Sequence, residues 1–229
     1  MKSFKIGIDE AGRWPWLGPV VASALAFNSK NLPPRKFIKE LNDSKKLTEK
    51  KREQLFQQLI GMSLWEKPNI FFGVWVVDNF MIDEINIRQA NREAMRRALI
   101  EILRKIDLPQ PLLAKEGGRK IPPLTKGRSG GVEVLIDGND NYTFEELKKQ
   151  PKFIVWGDGK VPEIGAASII EKVFRDDIMK SYAKLYPNLW VESHKWYGTK
   201  KHREYLKDSS CVTWIHRISY KPVKKILEK

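Results

Sequence analysis

Apolar residues recur along the chain in two periods, and the shorter period marks the strands. Phe4, Ile6 and Ile8 alternate with Lys5 and Gly7, the pattern of a strand with one buried face. Short apolar runs bounded by Gly, Pro, Asn or Asp predict further strands at residues 20–27, 70–77, 132–136 and 153–156. A sheet of about five strands is therefore expected.

The longer period marks the helices. Thr48 is a plausible N-cap for a helix over residues 49–60, and a stripe of apolar residues at helical spacing predicts one long helix over 79–106. Pro162 suits the first turn of a helix reaching about residue 185. Thr199 can cap a short helix to residue 207, and a last basic helix follows. Helices and strands interleave, so the predicted class is α/β with a helical, basic C-terminal extension.

The 229 residues suffice for one large α/β domain or for one domain with a small appendage. Residues 107–131 hold four prolines, five glycines and five basic residues, which predicts a flexible insertion. We expect a main domain over residues 1–190 that contains this insertion, and a basic C-terminal segment over residues 191–229.

The charge balance points to polyanions as partners. The formal net charge is +14, and residues 195–229 alone carry ten Lys/Arg against three Asp/Glu. Aromatic residues are interleaved with these charges, which favours a nucleic-acid surface over an anionic membrane or simple solvated charge. No apolar run approaches the 18 residues or more of a membrane span, and the first strand begins too early to leave room for a signal peptide. The single cysteine, Cys211, forms no internal disulfide, which fits a reducing cytoplasm. We also expect a monomer without a membrane partner.

Carboxylates follow three of the predicted strands. Asp9 and Glu10 end the first, Asp137 ends the fourth and Asp158 follows the fifth, in each case with a glycine nearby. Acids gathered at one edge of an α/β sheet repel one another unless cations neutralise them, and hard oxygen ligands suit Mg²⁺ or Mn²⁺. Two such ions about 4 Å apart can activate a water and stabilise the leaving oxygen of a phosphoryl displacement. The alternative is ordinary turn chemistry, in which Asp-Gly simply ends a strand.

Six ordered blocks of sequence resemble the bacterial ribonuclease HII family. They cover nearly the whole chain except the insertion. They are GIDEAGR at residues 7–13, DSKKL at 43–47, DEINI at 83–87, LIDGN at 135–139, GDGKVP with the helix that follows it at 157–176, and HKWYGT with the later His216-Arg217.

The resemblance implies an RNase H-like fold, with a mixed sheet flanked by helices. It implies hydrolysis of the RNA strand of RNA–DNA hybrids and incision 5′ to ribonucleotides embedded in duplex DNA, giving 5′-phosphate and 3′-hydroxyl ends. Carried over by motif, the metal-binding catalytic acids are Asp9, Glu10, Asp137 and Asp158. Asp176 and Asp177 are assigned structural ion pairs with Arg175 instead. A sliding clamp is a further partner that the sequence leaves open.

The resemblance also implies how substrate is recognised. In the family, backbone groups of a Gly-Arg-Gly turn contact the 2′-hydroxyl, and a tyrosine packs on the neighbouring deoxyribose. By motif the substrate-binding residues are Gly12, Arg13, Trp14 and Tyr197, with phosphate contacts from Lys45, Lys46 and Lys195.

Tryptophan stands at several positions where the resemblance leads us to expect glycine. They are Trp14, Trp75, Trp190 and Trp196, with Trp156 as a further candidate. An indole at position 14 could block the minor groove, so a second hypothesis is a hybrid-binding homologue with lost or altered turnover. A third is the related ribonuclease HIII, which Asp158 disfavours because that family carries glutamate there. One explanation of the pattern is that UGA codons specifying glycine were translated as tryptophan; UGG codons would contradict it.

Overall fold

A mixed sheet of five strands carries the fold. The computed structural model of the chain describes residues 4–41, 47–64, 68–107, 132–147, 149–187 and 197–228. The strands are β1 (Phe4–Ala11), β2 (Val20–Phe27), β3 (Ile70–Val77), β4 (Val132–Asp137) and β5 (Lys152–Ile154). Their order across the sheet is β3-β2-β1-β4-β5, antiparallel from β3 to β1 and parallel from β1 to β5.

Helices cover both faces of this sheet. They are α1 (Arg35–Glu40), α2 (Glu49–Ser63), α3 (Asn79–Ile85), α4 (Ile87–Asp107), α5 (Pro162–Leu185), α6 (Lys200–Tyr205) and α7 (Lys221–Leu227). Alternate residues of β2 belong to different cores: Ala24 and Ala26 pack with α4, whereas Leu25 and Phe27 pack with α2 and α5. The whole of β2 is buried because successive side chains point to opposite faces, each covered by helices.

The long helix α5 lies directly against β1. A Cβ atom on Gly7 would overlap the backbone of Glu163, so only glycine permits this approach. The contact brings the first turns of α5 next to the strand end that carries Asp9.

The observed elements confirm the predicted α/β class and the mixed sheet. Helix α5 and the N-cap of α6 at Thr199 are also as predicted. The single helix predicted over 79–106 is wrong. Asn86 has a φ of 66°, which separates α3 from α4, and its side chain accepts from the N–H groups of Arg88 and Gln89. The short helix α1 was not predicted, and β5 is shorter than expected. All of the predicted insertion after Asp107 lies outside the described residues.

The C-terminal segment packs against the loop between β1 and β2. Leu17 forms an isolated antiparallel bridge with His216, and the N–H of Gly18 donates to the carbonyl of Ile215 at 2.8 Å. Basic residues of this segment therefore lie beside the strand end that carries the acids. Within the described part of the chain, no helix has the length and apolar character needed to span a membrane.

Candidate active site and nucleic-acid interface

Three of the predicted acids meet where β1 and β4 end. The two strands run parallel with Ile8 opposite Ile136, so Asp9 and Asp137 follow on neighbouring strands at one sheet edge. Asp9 is only 4% exposed, and its Oδ1 accepts the N–H of Glu10 at 2.8 Å. The order of the strands, in which β4 lies directly beside β1, is what joins acids that are far apart in sequence.

The fourth acid, Asp158, reaches the same edge by another route. It lies in a single 3-10 turn (Gly157–Gly159) between β5 and α5, rather than at the strand end itself. The N–H of Gly157 donates to Asp137 Oδ1 at 2.6 Å, which ties this turn to the end of β4. Asp158 is buried, and its Oδ1 accepts the N–H of Gly159 at 3.0 Å.

The electrostatics of Glu10 show how closely these acids interact. Burial raises the pKa of Glu10 from its usual value to about 8, and the charge of Asp9 is the next contribution, with Asp137 adding to it. The positive charge of Arg13 opposes the shift. The carboxylate form is therefore costly here unless a cation compensates it.

A further carboxyl at this site, that of the buried Glu171, was not predicted from the sequence. Burial raises its pKa well above the usual value, followed by the charges of Asp9 and Glu10. Glu171 is 3% exposed, and its Oε2 makes no hydrogen bond within the described residues. The signal in the sequence was the place of Glu171 one helical turn after the apolar Ala167. In the structure Ala167 is fully buried, and residue 171 lies on the same face of α5.

These acids fit divalent ions. They supply hard oxygen donors, Asp9, Asp158 and Glu171 are buried, and Oε2 of Glu171 has no hydrogen-bond partner among described residues. Among those residues, no three Asp, Glu, His or Cys side chains already stand in a metal-ligating arrangement. Asp9, Asp137 and Asp158 each accept a backbone N–H instead.

The turn that follows β1 holds the predicted substrate-binding residues side by side. Gly12 has a φ of 93°, and a Cβ there would overlap a guanidinium packed beneath it, so glycine is required twice over. Arg13 forms an ion pair with Asp140 at 2.6 Å and lies 3.9 Å from Glu10. Its guanidinium also packs over the ring of Trp14, which is 72% exposed. Trp14 thus projects from the outer side of the turn.

Tyr197 is held through its backbone and leaves its ring half exposed. Its carbonyl accepts from the N–H of Thr199 at 2.8 Å and lies 3.2 Å from His202 Nδ1. His202 in turn contacts His216, Nε2 to Nε2, at 3.2 Å, and the N–H of Thr213 donates to His216 Nδ1. When His216 Nδ1 is the acceptor, His216 Nε2 donates to His202 Nε2, and His202 Nδ1 donates to the carbonyl of Tyr197. This contact between the two histidines was not predicted from the sequence.

Lys45, Lys46, Lys195, Trp190 and Trp196 lie outside the described residues.

The structural assignment of Asp176 and Asp177 holds with different partners. Asp176 pairs with Lys172 at 2.6 Å and with Arg52 at 3.6 Å, and Asp177 pairs with Lys180. The expected pairing with Arg175 is wrong, because the Nε of Arg175 donates to a backbone carbonyl of the turn after β1.

The described tryptophans of the unexpected set differ in backbone conformation. Trp156 has a φ of 59°, a left-handed conformation that is rare for a bulky residue and easy for glycine. Trp14 and Trp75 are not among the described residues of positive φ. Trp75 lies in β3 opposite Ala22, with Arg97 packed over its ring.

Comparison with known proteins decides the family. A model of the family described as ribonuclease HII matches residues 6–223. The chain belongs to the ribonuclease HII family. A ribonuclease HII of Endomicrobium trichonymphae is 40% identical over 223 residues, covering 97% of this chain and 88% of that protein. The protein is accordingly an endoribonuclease that hydrolyses RNA in RNA–DNA hybrids.

Solved structures of related enzymes share the fold. The ribonuclease H2 of Pyrococcus horikoshii superposes with a TM-score of 0.70 at 24% identity, covering 98% of this chain and 97% of that one. Ribonuclease HII of Archaeoglobus fulgidus, solved in a complex with PCNA, gives 0.65 at 23% identity and 95% coverage of both chains. Bst-RNase HIII in complex with Mn²⁺ gives 0.69 at 14% identity, covering 98% of this chain and 69% of that one. At these identities the likeness concerns the fold alone. The RNase H-like fold is thereby confirmed.

Proposed function

We propose that Asp9, Glu10, Asp137 and Asp158 form the catalytic centre and hold two divalent ions, Mg²⁺ or Mn²⁺. The protein incises 5′ to ribonucleotides embedded in duplex DNA, besides cleaving hybrids, and leaves 5′-phosphate and 3′-hydroxyl ends. The observation that carries the proposal is the meeting of Asp9, Glu10 and Asp137 at one sheet edge, with the pKa of Glu10 raised to about 8. A site that disfavours its own charged form is suited to a divalent cation.

Each residue has a distinct part in the chemistry. Divalent ions, when bound, supply the charge that makes water nucleophilic at neutral pH and stabilises the leaving oxygen. Asp9 and Asp137 provide oxygens from adjacent strands of a rigid sheet, and Asp158 provides one from the turn before α5. Arg13, held by Asp140 at 2.6 Å, places a positive charge next to Glu10, where a phosphate backbone would approach.

Substrate recognition is assigned to the turn after β1 and to Tyr197. Gly12, Arg13 and Trp14 face the minor groove, and the half-exposed ring of Tyr197 packs on the sugar next to the ribonucleotide. Lys45, Lys46 and Lys195 contact phosphates, a role that rests on the sequence alone. We assign catalysis to residues 1–190, and substrate binding also to the basic residues 191–229.

Two further assignments concern the cell. The A. fulgidus protein was solved with PCNA, and this supports a sliding clamp as a partner for the present chain, to be tested by co-purification with the clamp of the same organism. The cytoplasm is the proposed compartment, because it keeps the sole cysteine, Cys211, reduced.

The deciding experiment uses two duplexes, one with a single embedded ribonucleotide and one fully hybrid, each with and without Mg²⁺ or Mn²⁺. The wild type should cut both only with metal. Asp137→Asn should lower the cleavage rate by about 10³-fold or more while leaving hybrid binding nearly unchanged, because the lost carboxylate acts on the reaction rather than on the duplex. Asp177→Asn, an exposed carboxylate on α5, is the matched control and should retain full activity. Full activity of Asp137→Asn would refute the catalytic assignment.

The exposed Trp14 favours one refinement of the specificity. Its ring stands on the outer side of the turn, where a bulky side chain obstructs close approach of a duplex. Trp14→Gly should increase cleavage of the single-ribonucleotide duplex more than cleavage of the full hybrid. Equal effects on both substrates would remove Trp14 from the specificity determinants.

A further inference from the structure

Two buried arginines lie beneath the turn between β1 and β2 and take up its carbonyl groups. Arg217 donates from Nη2 to the carbonyl of Gly12 at 2.6 Å, from Nη1 to that of Arg13 at 3.2 Å, and from Nε to that of Gly18 at 2.9 Å. Three carbonyls from both ends of one turn therefore converge on a single guanidinium, which comes from a residue about 200 positions later in the chain.

The second guanidinium, that of Arg175, completes the arrangement. Its Nε donates to the carbonyl of Pro19 at 3.2 Å, and it lies where a Cβ of Gly12 would be. Burial lowers the pKa of Arg175 to about 10, and the nearby charge of Arg217 is the next cause. Both arginines remain charged at neutral pH.

Arg217 has no exposed surface and forms no ion pair with a carboxylate of the described residues. Its remaining partner is Tyr220, whose hydroxyl accepts from Nη1 at 2.8 Å and donates to the carbonyl of Arg13 at 2.8 Å. A buried charge must be compensated, and here backbone carbonyl dipoles compensate it. The hydrogen bonds of the Arg217 guanidinium therefore hold the backbone of this one turn in place.

The inward carbonyls determine where the amide groups point. In a trans peptide the N–H lies opposite the C=O, so the N–H groups of Arg13 and Trp14 face the outer side, towards the exposed indole. Neither N–H has a hydrogen-bond partner among the described residues. A guanidinium on a carbonyl also polarises the attached amide and makes its N–H a better donor.

We propose that Arg217 is a positioning residue for ribose discrimination. By holding the Gly12 and Arg13 carbonyls inward, it presents the outward N–H groups of the turn to the 2′-hydroxyl of the ribonucleotide. This inference rests on the proposed function, in which the turn reads that hydroxyl.

The neighbouring residue extends the same arrangement to the second contact. His216, next to Arg217 in sequence, is linked through His202 to the carbonyl of Tyr197. The side chain of Asn79 donates to the carbonyls of Trp214 and His216, which anchors this stretch to α3. One short segment thereby orients both the turn and the tyrosine.

The test compares binding of two duplexes that differ by one 2′-hydroxyl, without divalent metal so that cleavage does not intervene. Wild type should bind the ribonucleotide duplex more tightly than the all-deoxy duplex. Arg217→Lys keeps the charge but loses the planar set of donors, and should reduce this affinity ratio about fivefold while the all-deoxy affinity changes less than twofold. Purely structural damage would weaken both duplexes alike.

Two further variants keep the inference testable. Tyr220→Phe removes one bond to the carbonyl of Arg13 and should reduce the ratio about twofold. This variant decides the matter if Arg217→Lys does not fold, as judged by thermal melting. Arg92→Lys is the control, because Arg92 also donates to a backbone carbonyl, that of Thr143, away from the turn, and it should leave the ratio unchanged.

Two outcomes overturn the inference in distinguishable ways. If the wild type itself binds both duplexes equally, ribose reading by the turn is wrong, and the proposed recognition falls with it. If the wild type discriminates and a folded Arg217→Lys or Tyr220→Phe discriminates equally well, only the role of Arg217 is refuted.

Discussion

Like charges are buried together in two neighbouring regions of this molecule, with opposite results. At the sheet edge, the charge of Asp9 raises the cost of ionising both Glu10 and Glu171, and Oε2 of Glu171 lacks a hydrogen bond among described residues. Beneath the turn, Arg175 and Arg217 are equally buried, but all three nitrogens of the Arg217 guanidinium donate to backbone carbonyls, whereas Arg175 donates from Nε and its Nη2 has no partner among described residues. The protein itself compensates the charge of Arg217 and leaves that of Glu171 to be compensated.

The difference separates a structural charge from a functional one. A guanidinium surrounded by carbonyls is complete without a ligand, so it can hold the backbone in one conformation. Carboxylates held close together repel one another, so they bind cations that neutralise this repulsion. Removing an arginine should therefore harm the metal-free protein, whereas removing a carboxylate should improve it.

The largest expected effect is on the arginine side. Arg217→Met leaves the carbonyls of Gly12 and Gly18 without their donor, and we expect the free energy of unfolding to fall by about 3 kcal/mol. Urea denaturation at pH 7 measures it. Arg97→Met, at an exposed arginine paired with Glu93, should cost about 0.5 kcal/mol or less. A loss under about 1 kcal/mol for Arg217→Met would contradict the comparison.

The carboxylate side should make the metal-free protein pH-sensitive. The folded-state pKa values of Glu10 and Glu171 lie above those of the unfolded chain, so the folded state binds more protons between about pH 5 and 8. Their contribution to stability is present below the unfolded pKa and is lost as the pH rises towards 8. Melting temperatures in EDTA should fall across this window, and millimolar Mg²⁺ should restore stability most strongly at pH 8. A stabilisation by Mg²⁺ that is equal at pH 5 and 8 would argue against a compensating role.

Glu171→Gln should stabilise the metal-free protein at pH 8. An amide of the same shape removes a buried charge that Asp9 and Glu10 disfavour, and we expect a gain of about 1–2 kcal/mol. At pH 5 the gain should be smaller, because the raised pKa of Glu171 favours the neutral form of the wild-type carboxyl at lower pH. Glu204→Gln on exposed α6 is the control and should change stability at neither pH. A loss of stability at pH 8 would show that Glu171 has a compensating partner.

The smallest effect concerns the tryptophans of the two regions. Trp156 near the acids has a φ of 59°, so Trp156→Gly should relieve strain and raise the free energy of unfolding by about 1 kcal/mol. Trp14 in the turn is not among the residues of positive φ, so Trp14→Gly should give no such gain. Thermal melts of the two variants side by side distinguish the positions. Equal shifts would mean that the backbone at residue 156 is unstrained.

Local pattern predicted the elements well and failed where a single residue decided the backbone. Alternation predicted β1, short apolar runs predicted the other strands, and Pro162 correctly marked the start of α5. The break at Asn86 was missed because the apolar stripe continues across it, while the left-handed φ of one residue separates α3 from α4. Periodicity reports which face is buried and carries no information about such a conformation.

The sequence motifs predicted the candidate acids, but not the contacts that depend on how elements distant in the chain pack together. The motifs pointed to Asp9, Glu10, Asp137 and Asp158 from sequence alone, and their catalytic roles stay predictions. Glu171 was not predicted because its closeness to Asp9 and Glu10 depends on the packing of α5 against β1, a contact that Gly7 permits. The ion pairs of Asp176 were assigned to the wrong cation for the same reason, since Lys172 and Arg52 were judged only by their places in the chain.

The sequence by itself determined the α/β class and the excess of positive charge, because these follow from residue identity and local spacing, and its motifs carried the resemblance to the family. Only the tertiary structure decided which charges meet. Strand order places β4 beside β1, and the C-terminal segment returns to the first turn, so that Arg217 contacts Gly12 across 205 positions of sequence. Contacts of that separation arise from the packing of whole elements, which no local pattern records.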